Sequence, residues 1–409
     1  DEVALIVNNE LSDYKAKIID KKIYVDYKFV HDSLNSRFYW DANENVLLYT
    51  TASDIISAAA DSNSYSVTKQ TNDFGYPIVK ATSDSALIAL DYVKQYSNIT
   101  FKSYDDPARI VITSKWDEID SATVSKSTQV RVKGGIKSPI LKEVKKDDKI
   151  TILDSGDKWD KIATEDGVIG YIKGKALSES KKTKLTNPDY EEETFTHIKK
   201  DKDICLAWNQ VTSQSANSKV PQVISSTKGI NVMSPTWFYL NDNNGNLADI
   251  ASKDYVSYCH SQGIEVWGLF SNFENTDVDA AYVLTHTSTR TTLINQIMSA
   301  AFNYELDGVN IDFENITEAA YGDSYIEFIR ELSIKCHNNG ISLSVDVTVP
   351  ASFNKFFNRS DMAKFADYIV IMGYDEHYKG SDAGSVSSIP WVTEGVESTL
   401  KEVPADQII

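Results

Sequence analysis

The sequence predicts a multidomain chain: a small α+β domain, then a small β-barrel, then a (β/α)8 barrel that stops after about six strands. Three observations predict it. An internal echo runs through residues 1–116, short strands with Gly and Asp turns fill 117–178, and strands alternate with amphipathic helices across 201–409.

At 409 residues the chain has room for two or three domains of about 150 residues each. Its 59 acidic against 41 basic residues give a net charge of -18. A field of that sign repels phosphate backbones and anionic lipid. No apolar run approaches the roughly 20 residues of a bilayer-spanning helix. Neither nucleic acid nor membrane is an expected partner. The opening "DEVAL" lacks Met, and an upstream segment is expected to have been removed. Cys205, Cys259 and Cys336 are too scattered for a disulfide framework and are expected to be buried free thiols.

In the first segment, "FVHDSLNSRFYWDANENVLLYT" returns as "YVKQYSNITFKSYDDPARIVITS". Each copy reads as a short helix, a strand, a turn and an apolar strand. This pattern resembles the N-terminal domain of copper amine oxidases and of many bacterial wall proteins. His31 is the sole histidine here, so copper is not implied. In 117–178, Val144, Ile150, Ile152, Trp159, Ile162, Ile169, Tyr171 and Ile172 are spaced as in a small barrel. With "GDKWDKI" and "DGVIGYIKG" the segment resembles a bacterial SH3-type domain, a module attached to cell-wall enzymes. Trp159 and Tyr171 are either core residues or contacts for a wall peptide. A charged linker, 179–200, follows.

Beyond it, "ICLAWNQV", "INVMSPTWFYL", "IEVWGLFSNF", "LDGVNIDFE", "ISLSVDVTV" and "YIVIMGYDE" read as strands, with helices near 252–262, 288–303, 319–338, 360–366 and 391–402. Val- and Ile-rich strands between amphipathic helices predict a parallel sheet. "QII" at 407–409 looks like the start of a seventh strand. A complete barrel needs about 250 residues, so the last two strands are expected to be missing and the edges open.

Within "DGVNIDFEN", Asn310, Asp312 and Glu314 alternate with Val309, Ile311 and Phe313. Period two puts the polar trio on one strand face. In parallel barrels the C-terminal strand ends carry the chemistry, and Glu314 ends its strand. Asp312 lies two residues earlier, roughly 6 to 7 Å along the strand at about 3.3 Å per residue. Paired carboxyls at that spacing divide into a proton donor and an anion, the division that glycoside hydrolysis uses. Asp307 has the opposite parity to Glu314 and is read as a structural hydrogen-bonding residue.

"DGVNIDFE" is similar to the DxxDxDxE signature of family-18 glycoside hydrolases, the chitinase-like enzymes, with Asn310 where the middle Asp usually stands. "MGYD", Met372 to Asp375, matches the family's Met-x-Tyr-Asp. The surrounding text resembles the bacterial branch that acts on spore cortex and wall glycan. The resemblance implies substrate-assisted catalysis, in which the sugar's N-acetyl oxygen is the nucleophile. It makes Glu314 the acid and then the base, Asp312 the group that orients the acetamido group and stabilises the oxazolinium ion that forms, and Tyr374 a hydrogen-bonding partner of the acetamido oxygen. Asp375 would steady the sugar, and Met372 would pack beneath that group. Asn310 is expected to fix Asp312 without repelling it, leaving Asp312 anionic over a wider pH range.

Trp237, Asn272 and Tyr378 are further candidate substrate contacts; Trp208 is a candidate for stacking on a sugar face, as its ring has apolar faces and a polar tip. Trp267 precedes Gly268 inside a strand and is read as core. His377 stands in a loop, where function and plain solvation are both open. No His/Asp/Glu cluster has metal-ligand spacing, so no metal or cofactor is expected. The expected protein is an extracellular, cell-wall or spore-associated bacterial enzyme acting on N-acetylglucosamine glycan, peptidoglycan before chitin. The alternatives are a chitinase, or a catalytically silent glycan-binding or wall-structure protein on the same scaffold.

Overall fold

A computed structural model describes residues 1–314, 316 and 321–409. The chain forms two compact units: Asp1–Phe38, Ala58–Ser64 and Asp73–Glu192 make the first, and Tyr39–Ser57, Tyr65–Asn72 and Glu193–Ile409 the second.

The first unit holds two sheets. One pairs Glu2–Val7 in parallel with Ala108–Thr113 and antiparallel with Glu10–Ile19, and continues through Lys22–Asp26 and Ala86–Ala89 to Val79–Ala81. The other is antiparallel, in the order Ile140–Val144, Thr128–Arg131, Ile169–Lys173, Trp159–Thr164, Lys149–Asp154, Glu118–Thr123, Lys181–Lys184. Its core is Val124, Val130, Val144, Ile150, Ile162 and Ile172. Trp159 and Tyr171 are half-buried and stand outside that core. Within this unit Asp166 receives Arg109 at 2.7 Å and Lys142 at 2.6 Å. A cleft of about 530 Å³ is lined by Phe101, Val111, Ile119, Ile150 and Lys181 among others.

In the second unit the strands β1 (Leu206–Asn209), β2 (Val232–Leu240), β3 (Glu265–Ser271), β4 (Gly308–Asp312), β5 (Ser342–Thr348) and β6 (Tyr368–Met372) run parallel in that order. Ile408 bridges to Ile369 in parallel, and Ile371 N donates to Ile409 O at 2.9 Å. The helices are α1 (Val220–Ser225), α2 (Lys253–Ser261), α3 (Ala280–Thr285), α4 (Thr287–Tyr304), α5 (Gly322–His337), α6 (Arg359–Phe365) and α7 (Ile389–Thr399). The helix expected near 319 begins at Gly322; residues 319 and 320 lie outside the described residues.

Alternation along the strands builds the layers. Val309 and Ile311 of β4 and Phe313 just past its end, with Leu343, Val345 and Val347 of β5, join the core that also contains Leu293, Ile297, Phe328 and Leu332 of the helices. The opposite faces carry Asn310 and Asp312, and Ser342, Ser344 and Asp346, all buried.

That polar face is concave. Trp267 of β3 and Tyr368 of β6 have ring centroids 5.6 Å apart, whereas three strand spacings in a flat sheet amount to about 14 Å. Trp267 also lies flush on Gly308, where a Cβ would meet its Cδ1 at 2.5 Å, so only glycine fits. Trp267 is thus core, as read. Asp307 accepts from Val266 N at 2.8 Å and His260 Nε2 at 2.7 Å, which makes it the structural residue its parity predicts. Cys259 and Cys336 are buried, but Cys205 is exposed, because it precedes β1 outside the packed layers.

The first copy of the internal echo belongs, from Tyr39 on, to this second unit. Its hairpin, Phe38–Asp41 and Val46–Thr50, is buried on both faces, unlike the half-exposed Thr100–Asp105 of the second copy. Tyr39 Oη lies 2.8 Å from Ser324 Oγ, Thr50 Oγ1 donates to Glu327 at 2.9 Å, and Asp41 receives Thr287 N at 2.7 Å. Behind them Arg290 grips Glu331 through two nitrogens, at 3.0 and 3.1 Å, and Arg330 meets Glu327 at 3.0 Å and Asp361. Buried charges that are paired and hydrogen-bonded in this way escape most of the desolvation cost.

Candidate active site

The row on β4 points where its alternation places it. Asn310 is fully buried, Asp312 is 9% exposed, and Glu314, just past the strand end, is exposed. Parallel register sets Asp312 beside Ser271 of β3 and Asn310 beside Ser344 of β5. Two residues further along both strands, Asp312 and Asp346 are lateral neighbours on one face.

Asn310 is the hub. Its Oδ1 accepts from Trp208 Nε1 and from Ser234 Oγ, both at 3.0 Å, and its Nδ2 donates to Ser344 Oγ at 3.0 Å and to Asp346 Oδ1 at 2.7 Å. An indole N–H only donates, so the amide orientation is fixed by Trp208. Asn310 thereby ties β1, β2 and β5 to β4. Among the described residues it makes no bond to Asp312, contrary to the expected role.

The electrostatics overturn the second half of that expectation. Burial, then Glu314 and Glu274, pushes Asp312 up to about 7, so it does not stay anionic over a wider range. Replacing residue 310 by an uncharged amide removes one repulsive neighbour, but desolvation and the other carboxyls outweigh that relief. Glu314 is raised as well, by burial and by Asp375 and Glu274. A carboxyl at the end of a strand that binds its proton more tightly than usual is suited to give that proton to a leaving oxygen.

Tyr374 follows β6, and its ring meets that of Trp208 edge-on at 6.4 Å. Burial, then Asp312 and Glu314, pushes its hydroxyl up to about 12, so it remains a donor at neutral pH. Asp375 adopts φ 65°, a left-handed turn that Asp tolerates better than most residues, and acts on Glu314 through its charge. Met372 is buried on β6, in register with Thr348. Asp312, Glu314, Tyr374 and Asp375 are therefore one interacting group, with Asn310 beneath it.

Of the three further expected contacts, Trp237 falls elsewhere. Trp237 is fully buried, donates to Asn217 Oδ1 at 2.7 Å and packs on Tyr255 and Tyr304 in the helix-side core; its parity on β2 is opposite to that of Ser234, the residue that reaches Asn310. It is a core residue, not a cleft residue. Asn272, next to Ser271, is buried and presents almost no surface to a ligand. Tyr378 is exposed, and among the described residues its hydrogen bonds stay within its loop, to Ser381. His377 likewise bonds its own loop, at Ser385 O.

Two acidic residues escaped the sequence reading. Asp346 is buried beside Asn310, and Glu274, which accepts from Ser271 Oγ at 2.5 Å, acts on both Asp312 and Glu314. A signal for Asp346 existed. Ser342, Ser344, Asp346 and Thr348 alternate with Leu343, Val345 and Val347 as the trio on β4 does.

Residues 276–406 match the family described as Glycosyl hydrolases family 18. Over 182 residues the chain is 25% identical to the uncharacterized glycosylase YvbX of Bacillus subtilis (strain 168), covering 41% of this chain and 52% of that protein. It is 25% identical to the cortical fragment-lytic enzyme of the same organism, covering 41% of this chain and 40% of that one. Among solved structures it is similar to the spore cortex-lytic enzyme SleL of Bacillus megaterium QM B1551, at 20% identity and TM-score 0.43, covering 50% of this chain and 48% of that one. The chain spans about half or less of the curated relatives it matches. The carboxylate row of β4 and the Met372–Asp375 turn both lie in the segment 276–406, and that segment is similar to family-18 glycosyl hydrolases.

Proposed function

We propose that this chain is a glycoside hydrolase that cleaves β-linked N-acetylglucosamine in peptidoglycan, with retention and with assistance from the substrate's own acetamido group. One observation carries the reading: a raised carboxyl, Glu314, ends β4 beside Asp312 and Tyr374, within the segment matching family 18. Glu314 protonates the leaving oxygen and later takes a proton from water. Asp312 faces the acetamido nitrogen, and the un-ionised Tyr374 hydroxyl donates to its oxygen. The sheet of the second unit is of the (β/α)8 type.

Peptidoglycan is favoured over chitin by the relative named as a cortical fragment-lytic enzyme. In this reading residues 1–116, apart from Tyr39–Ser57 and Tyr65–Asn72 of the second unit, are a copper-amine-oxidase-like N-terminal domain and 117–178 an SH3-like module that contacts wall peptide; because Lys181–Lys184 pairs with Glu118–Ser121, the expected linker 179–200 shortens to 185–200, and the catalytic segment is 201–409. The protein works outside the cell, at the wall or spore.

The test is mass spectrometry of peptidoglycan and chito-oligosaccharides after incubation with the protein and with Glu314→Gln. New reducing ends at N-acetylglucosamine, absent with the variant, are expected. Retention of insoluble peptidoglycan without cleavage by either protein would instead identify a silent glycan-binding protein.

A further inference from the structure

The carboxyl of Asp346 has no part in the reading above, yet it is the most deeply placed acid of the site. It is 3% exposed, one strand away from Asp312 on the same face. Its Oδ1 accepts from Asn310, while its Oδ2 and the Oδ1 of Asp312 are buried and have no hydrogen-bond partner among the described residues. Two adjacent carboxyls that each present a buried, unpartnered oxygen are satisfied most economically by one proton between them.

The surrounding charges agree. Glu314 and Glu274 face the pair from the ends of β4 and β3, Asp375 follows β6, and the hydroxyls of Tyr325 on α5 and Tyr374 are electrostatically close. No cation is among these groups. Burial, then Asp312, pushes Asp346 well above the ordinary carboxylate range, against the pull of Asn310 and Trp208.

We infer that Asp346 is a positioning residue that shares one proton with Asp312, supplying from β5 the second carboxyl that Asn310 does not supply from β4. The inference rests on the glycosidase reading of the site. In the resting site the pair holds one proton and one negative charge. As the acetamido group of the substrate gains positive charge, the proton passes from Asp312 Oδ1 to Asp346 Oδ2. Asp312 is then anionic toward the sugar, and the proton returns once the intermediate is hydrolysed. The charge of the pair is unchanged throughout, so no outside acid or base is needed.

The experiment combines pH profiles of glycan hydrolysis with carboxyl-carbon NMR titration of the 13C-aspartate-labelled full chain. Three proteins are compared: wild type, Asp346→Asn, and the exchange variant Asn310→Asp/Asp346→Asn, which returns a carboxyl to β4. In the wild type, Asp312 should titrate in two coupled steps shared with Asp346. In Asp346→Asn it should titrate in one step, with kcat lower by tenfold or more and KM within about twofold. The exchange variant should recover most of kcat, which a merely structural role for Asp346 would not allow. An unchanged Asp312 titration in Asp346→Asn, or an exchange variant no better than Asp346→Asn, would overturn the inference. If the wild type cleaves no glycan, the glycosidase reading fails, and the NMR titration still decides whether the two carboxyls share a proton.

Discussion

Asn310 Nδ2 lies 2.7 Å from Asp346 Oδ1, on the neighbouring strand. The contact has its orientation because Trp208 and Ser234 hold the amide oxygen on the other side. Trp208→Phe removes one of those donors from a fully buried acceptor, a loss of about 1–2 kcal/mol. Hydrolysis by this variant is expected to fall on the order of tenfold in kcat, with a much smaller fall in melting temperature. Steady-state kinetics beside calorimetry would show it, and full activity would remove Trp208 from the scaffold of the site.

Stability should fall as pH rises. A carboxyl whose folded pKa lies above its unfolded value binds its proton better in the native state, so the native state loses ground between the two values. For Asp312 the window runs from its ordinary value of 3.8 up to about 7, and Glu314 and Asp346 shift in the same direction. Asp312→Asn removes the cost of ionising this group. It should stabilise the protein at pH 8 by at most about 4 kcal/mol, at about 1.4 kcal/mol per tenfold change in proton affinity, and much less at pH 4. Urea unfolding at both pH values measures this; a variant less stable than wild type at pH 8 would contradict it.

Trp237 separates core from cleft. Trp237→Phe leaves Asn217 without its indole donor and a gap beside Tyr255. The expected cost is about 1–3 kcal/mol of stability, with KM for any cleaved glycan unchanged. A raised KM with unchanged stability would return this residue to the substrate site.

The buried ion pairs give a fourth prediction. Arg290 is fully buried and holds Glu331 through two nitrogens. Arg290→Met strands that carboxyl and should cost about 3–5 kcal/mol. Thr50→Val, which removes the hydroxyl bonded to Glu327, should cost about 1–2 kcal/mol. Chemical denaturation of each variant gives the numbers; an unaltered midpoint for Thr50→Val would mean that the Thr50–Glu327 hydrogen bond contributes nothing of consequence.

Period-two alternation made the trio on β4 legible, and the βα rhythm gave β1 to β6 in order. Parity also placed Asp307 at its structural post. The same alternation says which residues share a face but not what they meet across a strand boundary. For that reason the pattern ties Asn310 to Asp312, its chain neighbour, whereas its bonds run to Trp208, Ser234, Ser344 and Asp346. Trp237 differs for a related reason: it lies near a strand end, but its parity turns it to the helix-side core. The hairpin's allegiance had a signal, since "FYWD" and "LLYT" are apolar on both faces where "FKSYD" alternates.

Thr50 and Glu327 stand 277 residues apart in the chain. During synthesis the hairpin leaves the ribosome long before the helix that covers it, and both apolar faces must wait. Chain closure over such a span is slow. A gene fragment beginning after the linker would encode the βα repeats but not their cover, leaving Glu327 without its Thr50 donor and Ser324 without Tyr39. Such a fragment should accumulate as aggregate, and supplying residues 39–57 as a separate peptide should rescue some of it. The βα repeats of this protein are consequently not a cassette that recombination can move by itself.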